Sequence, residues 1–416
     1  MHELGPVIAL LGIIIFAAHF FEVIFKQTKI PDVLPLVIIG LILGPLLNIA
    51  SPTYFGAVGP VFTIITFIFI LFEAGTGLSI ESIRKSFKDT LLITLLSFLF
   101  TVIIVGAAAV YLTGLGILRS LLLATIVGGT SSAIVAPILQ QLKIGDESKS
   151  ILVLESSATD VIVVICAISV MEIVKVGDPG QIDIGLIIGK IIASFLLATM
   201  IGMISAIVWS YLLKWVRGLQ NSIFITAACV FVVYGLTEWL GYSGAVSALA
   251  FGITMGNVGL LKILPLTSQV KVRASELNLT EKTFFSEMVF ILKTFFFVYI
   301  GISLQLAQWN LIIVGLILTI IIYLIRLPIV RLTLQKSIPA LDAAMISVII
   351  PRGLAAAVLA SMPFQQGISG GDAIQNIAYT IILVSIVFTS LLVFLIDKTK
   401  LSRFYFRIFS KFGNAV

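Results

Sequence analysis

Charge is scarce in this chain. Of its 416 residues only 11% are Asp, Glu, Lys or Arg, where an ordinary soluble domain carries about 25%. Histidine and cysteine are scarcer still, at two each. His2 stands at the terminus and His19 in the first apolar run. Gly129-Thr130-Ser131 has a protease-like Gly-x-Ser form, but there is no histidine to serve it as base and no His-Glu-x-x-His zinc site, so no enzyme chemistry is expected. Cys166 and Cys229 lie inside apolar runs, where an unpaired cysteine acts as a small hydrophobe. No stretch is polar enough to make a soluble domain. That excludes a Rossmann or other nucleotide-binding domain, a DNA reader and a secreted scaffold, and the net charge of +6 is read as membrane topology rather than as a nucleic-acid surface.

What is present is apolar sequence, 59% of the chain, with a mean hydropathy of +1.19. Thirteen runs of about 20 residues are each long enough to cross a hydrocarbon core of ~30 Å. They lie near 5–25, 31–50, 55–79, 90–113, 117–142, 151–174, 184–213, 221–241, 243–257, 284–305, 309–330, 341–361 and 374–397. The pattern predicts an all-α polytopic membrane protein with 13 transmembrane helices. Met1-His2-Glu3 lacks the basic start of a cleaved signal peptide, so the first run is expected to be retained.

Lys and Arg near span ends resist translocation and so report orientation. Of the 26 basic residues, 20 fall in alternate loops on one side, only Arg119 and Lys175 on the other, and Lys190, Lys293, Arg326 and Arg352 within spans. The reading is a cell-membrane protein with an outside N-terminus and a cytoplasmic C-terminus. The basic tail at 398–416 interleaves Phe404, Tyr405, Phe406 and Phe409 with its charges, a pattern that suits either an interfacial helix on anionic lipid or a solvated end. Asn278-Leu279-Thr280 is a formal glycosylation sequon on the cytoplasmic side, where it stays bare.

An ionisable side chain at a span centre costs about 2.5–3.5 kcal/mol on insertion scales, so each one points to function. Glu22, Glu172, Glu238 and Lys190 lie near span ends and can snorkel. Glu155, Asp160, Lys293, Arg326 and Arg352 lie deeper, with Glu73 and Glu287 between. The sixth span packs two acids and three hydroxyls into Glu155-Ser156-Ser157-Ala158-Thr159-Asp160. At about 100° per residue, Ser156 and Asp160 share a face, Glu155 and Thr159 share another, and the two acids point about 140° apart. One acid can therefore be locked in an ion pair while the other faces a water-filled cavity. A polar patch that only holds helices together is the alternative.

Two spans are interrupted. The fifth contains Gly128-Gly129-Thr130-Ser131-Ser132 and then Pro137, and the twelfth contains Pro351-Arg352-Gly353. Gly and Pro weaken helices there, and paired broken helices in two halves of a chain mark inverted-repeat secondary transporters, whose freed carbonyls and helix ends line a midplane site. A channel would instead carry a repeated pore loop. A carrier of an anion or another small solute stays open, although Asp160 disfavours it.

These motifs together resemble the monovalent cation/proton antiporter superfamily, most closely its prokaryotic sodium/proton exchanger (NhaP-like) branch, over essentially the whole length. Glu155 to Asp160 is similar to the family's Glu-Ser-x-x-Asn-Asp motif, and Gly129-Thr130-Ser131-Ser132 to its opened fifth span. Phe295 to Gly301 resembles the aromatic run of the tenth span, Arg326 the arginine of the eleventh, and Arg352-Gly353 the Arg-Gly pair of the twelfth. Two departures stand out: Thr159 replaces the usual Asn, and Ser131 follows Thr130 in place of Asp-Pro.

The resemblance implies crossed broken helices 5 and 12 in a six-helix core, about 55–174 and 284–397, with dimerisation and scaffold helices about 5–50 and 184–257, and a homodimer. It implies that Asp160 carries the cation or the proton, that Ser156, Thr130 and Thr159 add oxygen ligands, and that Glu155 pairs with Arg326. Arg352, Lys293, Glu73 and Ser131 are accessory candidates. Arg352 either offsets helix C-terminal charge or meets Glu73, and Lys293 either snorkels or is a counter-ion in the cavity. Burial disfavours the charged form of a carboxylate, so Asp160 is expected to be protonated or cation-bound in turn. An oxygen shell of Asp160, Ser156 and Thr130 suits a hard monovalent cation. The expected function is exchange of Na⁺, with Li⁺ as a further substrate, for H⁺ at one to one, serving pH homeostasis by alternating access. K⁺/H⁺ exchange is the alternative, and no cofactor is expected.

Overall fold

In an apolar medium each backbone N–H and C=O must find its partner within its own segment, and apolar runs of this length accordingly become helix. The computed structural model describes residues 4–28, 33–51, 58–77, 87–176, 184–218, 223–261, 277–335, 337–398, 405, 408 and 409, and no β-strand occurs among them. In chain order the helices are α1 (Leu4–Thr28), α2 (Val33–Leu41), α3 (Val58–Gly77), α4 (Phe87–Thr113), α5 (Ile117–Ile126), α6 (Ser132–Gln140) and α7 (Asp146–Val176). They continue with α8 (Ile184–Val216), α9 (Ile223–Trp239), α10 (Gly244–Gly256, extended by the turn Val258–Leu261), α11 (Leu279–Ser303) and α12 (Trp309–Thr333). The last three are α13 (Ala340–Val348), α14 (Leu354–Gln365) and α15 (Gly371–Lys398). Among the described residues seven helices are long and apolar enough to cross a membrane, and six shorter apolar helices accompany them. The second run departs from a plain helix: Pro45 has no N–H to give, and Ile42–Leu46 widens into a π-helical turn.

Packing divides the chain into two compact units. One contains Met1–Ala57, Ser86–Val174 and Lys293–Val416; the other contains Val58–Lys85 and Lys175–Leu292. By packing, therefore, α3 belongs with α8, α9 and α10, while α1 and α2 belong with the broken helices. The second unit is built around α10, whose small residues are buried almost throughout. A Cβ added at Gly252 would lie 2.5 Å from Phe72 O of α3, and one at Gly75 would lie 2.7 Å from Ile253 N of α10, so the two backbones touch where only glycine fits. Beside this contact Phe72 stacks at 4.5 Å on Phe285, which also meets Phe69 at 5.8 Å.

The start of α11 is fixed within the same unit. Asn278 Oδ1 accepts from Glu281 N at 2.7 Å while Glu281 Oε2 accepts from Asn278 N at 2.7 Å, a reciprocal cap. Arg217, at the end of α8, grips that carboxylate through Nε at 3.0 Å and Nη2 at 2.6 Å. The sequon asparagine thus works as a helix cap. In the basic tail Phe409 is fully buried and Tyr405 nearly so, and both belong by packing to the first unit. Phe404 and Phe406 lie outside the described residues.

Overpacking a close helix contact costs about 1–3 kcal/mol. Gly252→Leu is expected to lower the thermal unfolding midpoint of the detergent-solubilised protein. Gly235→Ala, on an exposed stretch of α9 with nothing within 4 Å of the added methyl, should leave it unchanged or raised.

Candidate functional site

The fifth and twelfth runs break where their glycines stand. Helix α5 ends in a tight turn, with Gly128 N donating to Thr125 O at 3.1 Å, and α6 restarts at Ser132 after Gly129, Thr130 and Ser131. Pro137 sits inside α6, so the glycine pair makes the break. Helix α13 stops at Val348 and α14 starts at Leu354, leaving Ile349 to Gly353 open. The two openings meet: Ser131 N donates to Pro351 O at 2.8 Å. A Cβ at Gly353 would overlap the Ser131 side chain, so no other residue allows this approach without a shift.

Opening a helix exposes partial charges at its new ends, and charged side chains meet three of them. Arg352, fully buried, donates through Nη1 to Gly129 O, just past the end of α5, and lies 3.5 Å from Thr130 Oγ1. Its backbone N donates to Ser385 Oγ of α15 at 2.9 Å. This contact puts its charge beside a carbonyl just beyond a helix C-terminus. Arg326 of α12 donates through Nη2 to Ile346 O at 3.3 Å, in the last turn of α13. Its guanidinium also pairs two-pronged with Glu155, through Nη1 to Oε1 and through Nη2 to Oε2 at 2.6 Å, and Ser97 Oγ of α4 accepts from Nη1 at 2.5 Å. The pair is sealed, with Glu155 at 1% and Arg326 at 3% exposure.

Asp160 occupies the third end. Its Oδ2 accepts from Ser132 Oγ at 2.6 Å and from Ser132 N at 3.2 Å, at the start of α6, where the helix dipole favours a carboxylate. Both residues are half-buried, in contrast to Glu155. The two acids of one helix thus have separate surroundings, as their angular offset predicts. Thr159, at the position of the expected Asn, ties the opened segment instead: its Oγ1 accepts from Thr130 N at 3.0 Å and lies 3.3 Å from Thr130 O and 3.1 Å from Ser156 O. Thr130 and Thr159 line a small cavity with Glu155, Arg326 and Arg352. Ser156, buried one turn before Asp160 on the same face, gives its hydroxyl to Val153 O at 3.0 Å. Ser131 contributes its backbone to the crossing, and Lys293 is half-buried on α11.

Sequence reasoning passed over several polar residues. Ser132 stood inside the quoted motif but was not singled out. Tyr323 of α12 gives its hydroxyl to Ser385 O at 2.9 Å and lies 2.8 Å from Thr389 Oγ1, which in turn reaches Val348 O at 3.3 Å, bracing the end of α13. Asp342, a buried acid in the first turn of α13, accepts from Gly145 N and Ser148 Oγ, both at 2.8 Å, and so fastens the start of α7. The available signal was polarity at the edges of the twelfth run and in the last.

The family described as sodium/hydrogen exchanger, transmembrane, matches residues 8–398. The chain belongs to that family. It is therefore a multi-pass membrane protein of a cation/proton antiporter family. Similar proteins include K(+)/H(+) antiporter NhaP2 of Shewanella sp. (strain ANA-3), 25% identical over 324 residues, covering 76% of this chain and 53% of that protein. K(+)/H(+) antiporter NhaP of Alkalimonas amylolytica is 23% identical over 399 residues, 93% of this chain and 66% of that protein. The chain spans about half the length of the Shewanella relative. The sodium proton antiporter MjNhaP1 of Methanocaldococcus jannaschii, in its structure at pH 8, shares the fold with a TM-score of 0.73 at 20% identity, covering 94% of this chain and all of that one.

Removing one member of a buried ion pair costs about 3–5 kcal/mol, because the other is left uncompensated, while replacing both with apolar groups is close to neutral. Glu155→Ala alone is expected to lower the unfolding midpoint or the folded yield sharply. Glu155→Leu combined with Arg326→Met should recover most of the loss, read by thermal unfolding in detergent.

Proposed function

We propose that this chain is a secondary active antiporter in which a monovalent cation and a proton compete for Asp160. The observation that carries the reading is the contrast within α7: Glu155 is sealed against Arg326, while Asp160 is half-buried at a helix end and, among the described residues, takes its hydrogen bonds from Ser132. An acid in that position can release a proton and accept a hard cation in its place. Ser156 on the same helix face, and oxygens of the opened segment around Thr130, would complete an all-oxygen shell. Thr159 and Arg352 hold that segment open. If the empty, charged site cannot pass the apolar barrier, exchange is obligatory. One carboxylate then gives one proton per cation, and the cycle is electroneutral.

In this reading 13 spans cross the membrane with the N-terminus outside. The chain works as a homodimer by alternating access of a core against a scaffold, in the service of pH homeostasis, and its basic tail meets anionic lipid. Sodium is the proposed cation, with Li⁺ as a further substrate. K⁺/H⁺ exchange is the second reading, favoured by the names of the Shewanella and Alkalimonas relatives.

The test is exchange in proteoliposomes with Na⁺, Li⁺ and K⁺ across a pH series. The wild type should move protons against Na⁺ without generating a membrane potential. Asp160→Asn should abolish that movement while the unfolding midpoint stays near the wild-type value. Exchange that persists in Asp160→Asn overturns the reading, and K⁺-driven exchange above Na⁺-driven exchange moves the assignment to the second.

A further inference from the structure

The hydroxyls around the opened fifth run are not equivalent. Ser156 is bonded to Val153 O in its own helix, and Thr159 is bound up with Thr130 and Ser156 O. Ser132 is different: among the described residues the hydrogen bond of its hydroxyl runs to Asp160 Oδ2, at 2.6 Å, the length of a bond to an ionised oxygen. Its backbone N–H reaches the same oxygen at 3.2 Å. Ser132 is therefore attached to the carboxylate twice, once through a group that cannot turn and once through one that can.

We propose that the Ser132 hydroxyl is a reorienting partner of Asp160, donating to the carboxylate when the site is empty and turning its oxygen to the cation when one binds. The inference rests on the reading of Asp160 as the exchange carboxylate. A hydroxyl carries one donor and two lone pairs, so a rotation about Cβ–Oγ serves each occupancy in turn. It donates to the bare carboxylate, accepts from the protonated carboxyl, and ligates the cation. The N–H at the start of α6 keeps its hold on Oδ2 throughout, and no backbone has to move. Both residues are half-buried, so neither is fully enclosed by the packing around it.

Removing the hydroxyl withdraws a donor from the charged carboxylate and a ligand from the cation, while the neutral, protonated form loses least. The protonated form is then favoured at the expense of the loaded one. Hydrogen bonds to charged groups of this kind correspond to about a tenfold change or more in an equilibrium constant.

The experiment measures initial rates of Na⁺/H⁺ exchange in proteoliposomes, at one pH, for wild type, Ser132→Ala, Ser132→Thr and Asp160→Asn. Ser132→Ala is expected to raise KM for Na⁺ about tenfold, well beyond any change in kcat, and Ser132→Thr to return KM to within about threefold of wild type. An unchanged KM in Ser132→Ala, with exchange abolished in Asp160→Asn, overturns the role of Ser132 and leaves the exchange reading standing. Full exchange in Asp160→Asn removes the reading itself and this inference with it. Should Ser132→Ala lower the unfolding midpoint, Ser132→Cys, which keeps the size but offers a soft donor, is expected to show the same rise in KM; an unchanged KM there overturns the proposal.

Discussion

The crossing of two opened helices governs the first unit, because an interrupted helix in an apolar surrounding leaves backbone groups that water cannot satisfy. This chain meets the demand with a backbone bond between the two openings, Ser131 N to Pro351 O, and with side chains matched in sign to three of the four exposed ends. Guanidinium groups face carbonyls at the ends of α5 and α13, and a carboxylate faces amides at the start of α6. The ion pair of Glu155 and Arg326 fits the same pattern: Arg326 stands at the end of α13, and Glu155 makes its burial tolerable.

The placement of Asp160 is the counterpart of that sealing. Two acids five residues apart on one helix cannot face the same neighbours, and the sequence around them distributes hydroxyls to both faces. One acid is consumed by the architecture. The other, half-buried, takes its hydrogen bonds among the described residues from Ser132 at the start of α6. A site of this kind needs the surrounding segment to be rigid, and the Thr159 ties to Thr130, together with the Tyr323, Ser385 and Thr389 bracing of the second opening, supply that rigidity.

Much of this was legible in the sequence, because glycine, proline and charge are conspicuous in apolar runs. The first break falls at Gly128 to Ser131, within the interruption expected, the second opens at Ile349, two residues before the expected Pro351 to Gly353, and the deep Glu155 and Arg326 meet across 171 residues. Hydroxyls were harder to read. Ser169 and Ser390 bond to carbonyls four residues back in their own helices, and nothing in the sequence separates them from Ser97 or Ser385, which reach other helices. A serine in an apolar helix is satisfied either way, so only the packed structure tells which. The role of Ser132 was hidden for the same reason, since it depends on a carboxylate 28 residues away.

The two units also differ in what holds them together. Among the described residues the fully buried charged groups are Glu155, Glu281, Arg326, Asp342 and Arg352, and all but Glu281 belong to the first unit. Glu281 serves a helix cap and pairs with a partly exposed arginine, so it too sits at a helix end. The close contact of α3 with α10 in the second unit is glycine against backbone, with phenylalanine against phenylalanine beside it. Such a contact responds to shape and volume and is indifferent to the charge of an ion. In the first unit each of those buried charges meets a helix end or another charge, so the opened segments there are held in place electrostatically.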